Sequence, residues 1–324
     1  MTNKEIYKKT IGFTWRRILW DWLTFLVLLI FLGLGFFIAT KINSEGGLIG
    51  LVIGGVIGLV IVIIALRYIS YTYKAGQIAM MTKGVTEGTL PDDVIGEGKK
   101  IVKERFTTVA AFFAITGVIK GIFNQIGSAI TNVGKRVGGD TGEGIGSAIS
   151  SFINVVVAYL CDCCLGWVFF RKDEKASKAA CEGAVLFFKH GKTLLKNIGR
   201  VFGIGLVSLL LIGGVAALIL VLIFKQFPAF FENMSAELVK SLSENGEEVS
   251  VIISNPEYLM IACAVVIALI IWSSVHSAFI RPLVLVGVLR NYMESGMNEV
   301  ITESDFDVLD SKSKKFKKLH EEFA

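Results

Sequence analysis

Runs of apolar residues, with no polar face interrupting them at helical spacing, divide the chain into six blocks separated by polar stretches. A helix needs roughly 20 such residues to cross a hydrocarbon layer of about 30 Å, and a water-facing helix would break the run every three or four positions. The pattern therefore predicts an all-α membrane protein: a six-helix transmembrane bundle, with amphipathic helices lying on the cytoplasmic side.

Residues 1–18 are charged and precede a hairpin over 19–69, whose two blocks are joined by a turn through Lys41, Asn43 and Glu45. No small-residue cleavage site follows the first block, so the N-terminal segment is expected to stay in place. Residues 70–105 are mixed and polar, with Pro91-Asp92-Asp93 as a turn signal, and read as amphipathic helices outside the hydrocarbon. Blocks three and four fill 106–170 around a glycine-rich connection at 134–144; the outer end of block three fades between Ile126 and Val133. Residues 171–200 are basic and read as another cytoplasmic amphipathic segment. The fifth block is 201–224, followed by an acidic loop over 225–257 with an amphipathic turn near 234–242. The sixth, 258–289, is too long for one perpendicular span, which predicts tilt or a bend at Arg281-Pro282 with the remainder on the interface. The tail, 290–324, is charged and expected in solvent.

Composition supports the class. With 53% hydrophobic and 19% charged residues and a mean hydropathy of +0.64, the chain is too apolar for a soluble domain of 324 residues. Four prolines against 34 glycines favour straight, closely packed helices. Charge then sets the orientation. With both ends inside, only Lys41, Lys135, Arg136, Lys225 and Lys240 of the 33 basic residues fall in outer loops, and the reverse orientation would export nearly all the others. Trp15, Trp20 and Trp22 sit where block one meets the inner headgroups, with Arg281 as an anchor at the end of block six or a contact to lipid phosphate. A multi-pass protein of the cell membrane, N-in and C-in, follows, with the lipid bilayer as its partner, a homo-oligomer left open and no nucleic-acid surface.

Chemistry-bearing motifs are missing. There is no phosphate-binding G-x-x-x-x-G-K-[ST] loop, no H-E-x-x-H and no G-x-S-x-G, and only His190, His276 and His320 supply imidazole. An enzyme is not expected, nor a cofactor. Cys161, Cys163, Cys164 and Cys181 fall at the inner end of block four, where thiols stay reduced, and lack the second pair a zinc site needs.

Two patterns concern helix faces. Gly46, Gly50, Gly54 and Gly58 recur every fourth residue, leaving a groove into which another helix fits: block one, a neighbour, or a second subunit, unless the face lines a pore. Block three places Lys120 and Asn124 on one face, and block four places Ser150, Asn154 and Asp162 on another. At a helical rise of about 1.5 Å per residue, Lys120 lies about 21 Å above the inner end, Asn154 about 24 Å and Asp162 about 12 Å. These residues are candidates for a hydrated polar path; the alternative has Lys120 reaching for the outer headgroups and Asn154 bonding a neighbouring helix.

Lys196-Asn197-Ile198-Gly199-Arg200-Val201 ahead of Gly213-Gly214-Val215, and Ser274-Val275 with Leu283, Leu285, Leu289 and Gly296, resemble the C-terminal region of the choline transporter-like family. A cysteine-rich cytoplasmic stretch is a further parallel. The resemblance covers at most the latter half of that family's spans. Arg281 stands where its last span carries an Asp, and Arg290-Asn291 where acidic residues follow. The resemblance implies membrane transport, without choline as the substrate. The chain thus points to a channel or secondary carrier lacking its own ATPase, or alternatively to a non-transporting membrane partner such as an assembly, immunity or scaffold protein.

Overall fold

The computed structural model describes the backbone of residues 1–42, 47–138, 142–244 and 249–324, and the side chains of these except 47–49, 51, 126–138, 142–154, 156, 191–202, 241 and 244. Every regular element is helical, with no strand among the described residues. In chain order the helices are α1 (Asn3–Ile42), α2 (Gly47–Ile69), α3 (Ala75–Thr86), α4 (Val94–Arg105), α5 (Val109–Gly138), α6 (Gly142–Phe170) and α7 (Ala176–Ser208). They continue with α8 (Gly214–Phe224), α9 (Pro228–Glu244), α10 (Val251–Ser254), α11 (Pro256–Val275), α12 (Arg281–Met297), α13 (Glu303–Asp310) and α14 (Lys314–His320). Among the described residues three π-helical turns, Ser70–Lys74, Leu209–Gly213 and His276–Ile280, interrupt the longer rods. The chain divides into two compact units: Met1–Gly199 with Pro282–Ala324, and Arg200–Arg281.

In the first unit α1 changes character along its length. Ile6, Thr10, Phe13 and Thr14, spaced to share one face, are buried, whereas Leu19 is 66% and Trp22 65% exposed. The rod made of α2, its π turn and α3 inverts the same way: apolar residues are exposed in α2, while Gln77 and Thr82 are buried beside Ile78, Met80 and Met81 in α3. Exposed oil and buried polar groups in one rod mean lipid around one half and protein around the other. The buried amide is satisfied, since Gln77 Nε2 donates to Thr14 Oγ1 at 3.1 Å and to the Thr10 carbonyl at 3.3 Å.

The hairpin α1–α2 closes on glycine. A Cβ on Gly50 would overlap the Gly35 carbonyl and the Ala39 methyl, and one on Gly54 would overlap the Phe31 carbonyl. Gly58 lies against Leu28 and Phe31. Beyond the bilayer-facing part, α4 starts at Asp93, whose carboxylate accepts from the Gly96 N–H at 2.9 Å. Of the amphipathic helices expected at 70–105, α3 is largely interior, because α1, α4 and α6 cover nine of its twelve residues, whereas α4 buries only Val94, Gly98, Ile101 and Val102.

The remainder of this unit is a protein core. Residues 162–169 of α6 are all buried, with Cys163, Cys164, Trp167 and Val168 among them, and Cys181, Ala184, Val185 and Leu186 of α7 are buried too. Buried Glu182 accepts from Trp167 Nε1 and Arg171 Nε, both at 3.0 Å, and Tyr292 donates to the Gly183 carbonyl at 2.6 Å. The tail is docked, not free in solvent: Phe306, Leu309, Phe316 and Leu319 are buried, Ser313 donates to Gln125 at 2.6 Å, and the Lys315 side chain runs against Gly121. Lys189 holds the tail through Glu299 at 3.0 Å and Asp305 at 2.8 Å.

The second unit is built on a hairpin of α8 and α11. Ala264 and Ala268, one turn apart, are buried on α11, and α8 buries no residue at all. Asn255 caps α11 by accepting from the Glu257 N–H at 2.9 Å, with Pro256 at the first helical position, where its missing N–H costs nothing. The expected short turn at 234–242 is the longer helix α9, tied down where Ser235 donates to the Ile253 carbonyl at 2.6 Å.

Among the described residues four helices are long and apolar enough to cross a membrane: Asn3–Ile42, Val52–Thr86, Gly203–Phe224 and Pro256–Met297. Val94–Arg105 with Val109–Gln125, bent by 80°, would make a fifth if taken as one broken span. By helix length and hydropathy this is a multi-pass membrane protein in contact with lipid. The other two expected spans, blocks three and four, extend into residues 126–154 and 156, whose side chains lie outside those described, and the described part of block four faces protein. The apolar stretch Val157–Phe170 is covered by protein, and a core helix and a lipid-facing helix look alike in sequence.

Candidate functional site

Of the polar residues expected to share a path, only Lys120, Asn124 and Asp162 have described side chains. Asp162 is buried and pairs with Lys74 Nζ at 2.8 Å, on the π turn that follows α2. Lys120 and Asn124 lie on the exposed face of α5, with Ala110, Ala114 and Gly117, opposite the buried Phe112, Ile119, Ile122 and Phe123. Lys120 also neighbours Gly121, where Lys315 of the charged tail lies. Ser150, Asn154 and Gly46 fall outside the residues whose side chains are described. The other glycines of the repeat, Gly50, Gly54 and Gly58, face α1. Trp20 donates to the Tyr73 hydroxyl at 3.1 Å, and exposed Trp22 meets Phe25 edge-on, with ring centroids 6.3 Å apart. Arg281 follows the π turn His276–Ile280 and precedes Pro282.

That turn has a local cause. Pro282 offers no N–H, and its ring crowds the carbonyl four residues back, so the helix widens ahead of it. The bend expected at Arg281-Pro282 is thus absorbed as a π turn within a helix that continues to Met297. The π turn Leu209–Gly213 lies in the neighbouring rod, directly after Ser208. Gly213 lies beside Trp272, whose Cβ would make ordinary van der Waals contact at 3.5 Å with a Cβ added there.

Between the two turns three polar side chains meet. Trp272 Nε1 donates to Ser208 Oγ at 3.0 Å, His276 Nδ1 lies 3.0 Å from the same oxygen, and Ser208 Oγ is 2.7 Å from the Gly205 carbonyl. A serine hydroxyl has one proton and two lone pairs. If the proton goes to Gly205, the lone pairs accept from Trp272 and from an Nδ1–H of His276, which leaves Nε2 as the open basic position. The indole and imidazole rings lie 5.3 Å apart at 40°, so Trp272 covers one face of the histidine.

No family model matches the chain, and no curated protein or solved structure matches it.

In the sequence His276 stood out only as one of three histidines, with no partner. Ser208 carried no signal of its own, because a lone serine in an apolar block is common. The available cue was Trp272 and His276, one helical turn apart among Ser273, Ser274 and Ser277 at the end of an apolar run. Among the described residues no cluster of three or more His, Cys, Asp or Glu is placed to hold a metal ion.

Proposed function

We propose that this chain is a membrane transport protein, a channel or secondary carrier without an ATPase of its own, working through His276 with Ser208 and Trp272. One observation carries the reading: an ionisable imidazole sits within apolar helices, hydrogen-bonded across to a second helix, with a π turn in each. Ionisable groups inside spans are expensive and mark substrate or proton routes, and π turns concentrate at functional sites. The segments resembling the choline transporter-like family, 213–215 and 274–275, belong to these same helices, which adds support. The topology that goes with it has both termini in the cytosol and four spans in two hairpins. Trp20, Trp22 and Arg281 stand at the inner headgroups, and 225–257 lies outside.

The test is flux into proteoliposomes of the full chain, with an internal pH dye and a panel of labelled small cations, anions and zwitterions. A gradient-driven flux that falls tenfold or more in His276→Phe and persists in Lys120→Met is expected. A wild-type chain that moves nothing above empty vesicles overturns the reading.

A second reading, a non-transporting membrane partner, is favoured by α8. Away from α11 its apolar surface is exposed, at Val215, Leu218, Ile219, Leu222 and Ile223, so another helix of a second copy or of a different membrane protein has room to pack there. A purified sample that is oligomeric or carries a stoichiometric partner, and is silent in the flux assay, would favour it.

A further inference from the structure

The glycine repeat of α2 ends at Gly58, about three turns before the helix itself ends at Ile69. Gly50, Gly54 and Gly58 hold α2 against α1, but the next position at this spacing is Val62. From there Ile61, Val62 and Ala65 face Trp20, Leu23, Thr24 and Val27 across a widening gap. The hairpin is therefore a V, closed where glycine permits backbone contact and open toward the tryptophan end. The π turn Ser70–Lys74 carries Tyr73 into the wide end, where Trp20 donates to its hydroxyl.

The cavity in this V holds about 230 Å³. Two of its polar lining groups are engaged elsewhere, since the Thr24 hydroxyl donates to the Asp21 carbonyl at 2.8 Å and the Trp20 N–H is taken by Tyr73, and lining Tyr68 is 58% exposed. The walls offer carbon, so the occupant must be hydrocarbon. The volume is below the roughly 300–1,000 Å³ of pockets for drug-sized ligands, which suits one slender chain. From Trp20 to Val27 the lining runs about 10 Å along α1. The helices that form it are apolar spans, so bilayer lipid is the hydrocarbon at hand. At the wide end a cation waits: Lys99 Nζ lies 4.8 Å from the centroid of the Tyr73 ring.

We propose that this cleft is a phospholipid site, in which one acyl chain lies between α1 and α2 while the lipid phosphate meets Lys99 above the Trp20–Tyr73 pair. The chain displaces no polar contact on entering, and the tryptophan and tyrosine hold the headgroup end at the depth such rings favour. Ala65 is the smallest side chain in the wall and leaves the passage open. Anionic lipid is preferred over zwitterionic lipid because Lys99 contributes charge at the phosphate.

The test uses the full chain in vesicles containing a phosphatidylglycerol with a photoreactive diazirine midway along one acyl chain, followed by peptide mapping of the adducts. Adducts concentrated on residues 20–27 and 61–69, and reduced at least fivefold there by Ala65→Phe, are expected. Labelling spread evenly over the exposed faces of α1, α2, α8 and α11 overturns the site, and that measurement needs no variant to fold. Concentrated labelling that Ala65→Phe leaves unchanged also overturns it. A diazirine phosphatidylcholine should label severalfold less, and Lys99→Gln should erase the difference; a preference that survives Lys99→Gln overturns the role given to Lys99.

Discussion

Lys74 and Asp162 form an ion pair at 2.8 Å in which the carboxylate is almost fully enclosed, with 5% of its side chain exposed, while the lysine keeps 34%. The pair ties the π turn after α2 to the buried half of α6. Removing one partner of a buried pair strands the other charge. Lys74→Met should cost about 1–3 kcal/mol, less than the 3–5 of a fully buried pair because the lysine is partly solvated. Lys74→Met combined with Asp162→Asn should recover most of the loss. Thermal unfolding of the detergent-solubilised protein in a double-mutant cycle measures this. An Asp162 that lines a water path would show little coupling to Lys74.

The glycines of the α1–α2 hairpin differ sharply in what they tolerate. Gly54→Leu drives a side chain into the Phe31 backbone, whereas around Gly33 nothing lies within 4 Å of an added Cβ. Overpacking of this kind costs about 1–3 kcal/mol or more. Gly54→Leu should lower the midpoint of thermal unfolding and the monodisperse yield, and Gly33→Leu should leave both near wild type. Equal behaviour of the two would show that the close contact does not exist in the membrane.

These two contacts mark how far sequence reading reaches. Spacing alone revealed the glycine face, because a four-residue repeat is a property of one helix. Its partner, Gly35, stood in no repeat. Asp162 was legible as a polar residue in an apolar block but not as the mate of Lys74, since a pairing between residues far apart in sequence depends on how α3 packs on α6. The inner part of block four shows the same limit: Cys163, Cys164, Trp167 and Val168 are as apolar as a lipid-facing run, and only tertiary contact tells protein cover from lipid. The His276 cluster needed two helices to be seen together.

The tail latch is sensitive to acid. Hydrogen bonds from Lys189 hold Glu299 and Asp305 below the ordinary carboxylate range and raise Lys189 above the ordinary lysine range, with His190 Nε2 also 3.0 Å from Glu299. For the two acids, the stabilisation is complete above the unfolded carboxylate pKa and is lost as pH falls through the depressed folded values. For Lys189 it is complete below the unfolded lysine pKa and is lost as pH rises through the raised one. Hydrogen exchange should therefore show α13 protected at neutral pH and exchanging several times faster near pH 3, about a unit below model carboxylates. Lys189→Met should speed exchange at neutral pH and flatten the acid response. Protection indifferent to both changes would mean that buried Phe306 and Leu309 hold the tail unaided.

The number of spans turns on where α14 sits. Its four lysines, 314, 315, 317 and 318, cannot lie in hydrocarbon, yet Ser313 at its cap bonds Gln125 and the Lys315 side chain runs against Gly121. Residues 121–125 of α5 are thus on the watery side that the tail occupies. From residue 126 to its end at Gly138 the helix has only about 20 Å left to rise, short of the roughly 30 Å of a hydrocarbon layer. The tip of the α5–α6 hairpin should therefore stay with the tail. In intact cells a membrane-impermeant maleimide should label Ser250→Cys, while Lys135→Cys and Lys312→Cys should react only after permeabilisation, each read against the unsubstituted chain. Labelling of Lys135→Cys from outside would restore two further spans and carry Lys120 back into the membrane.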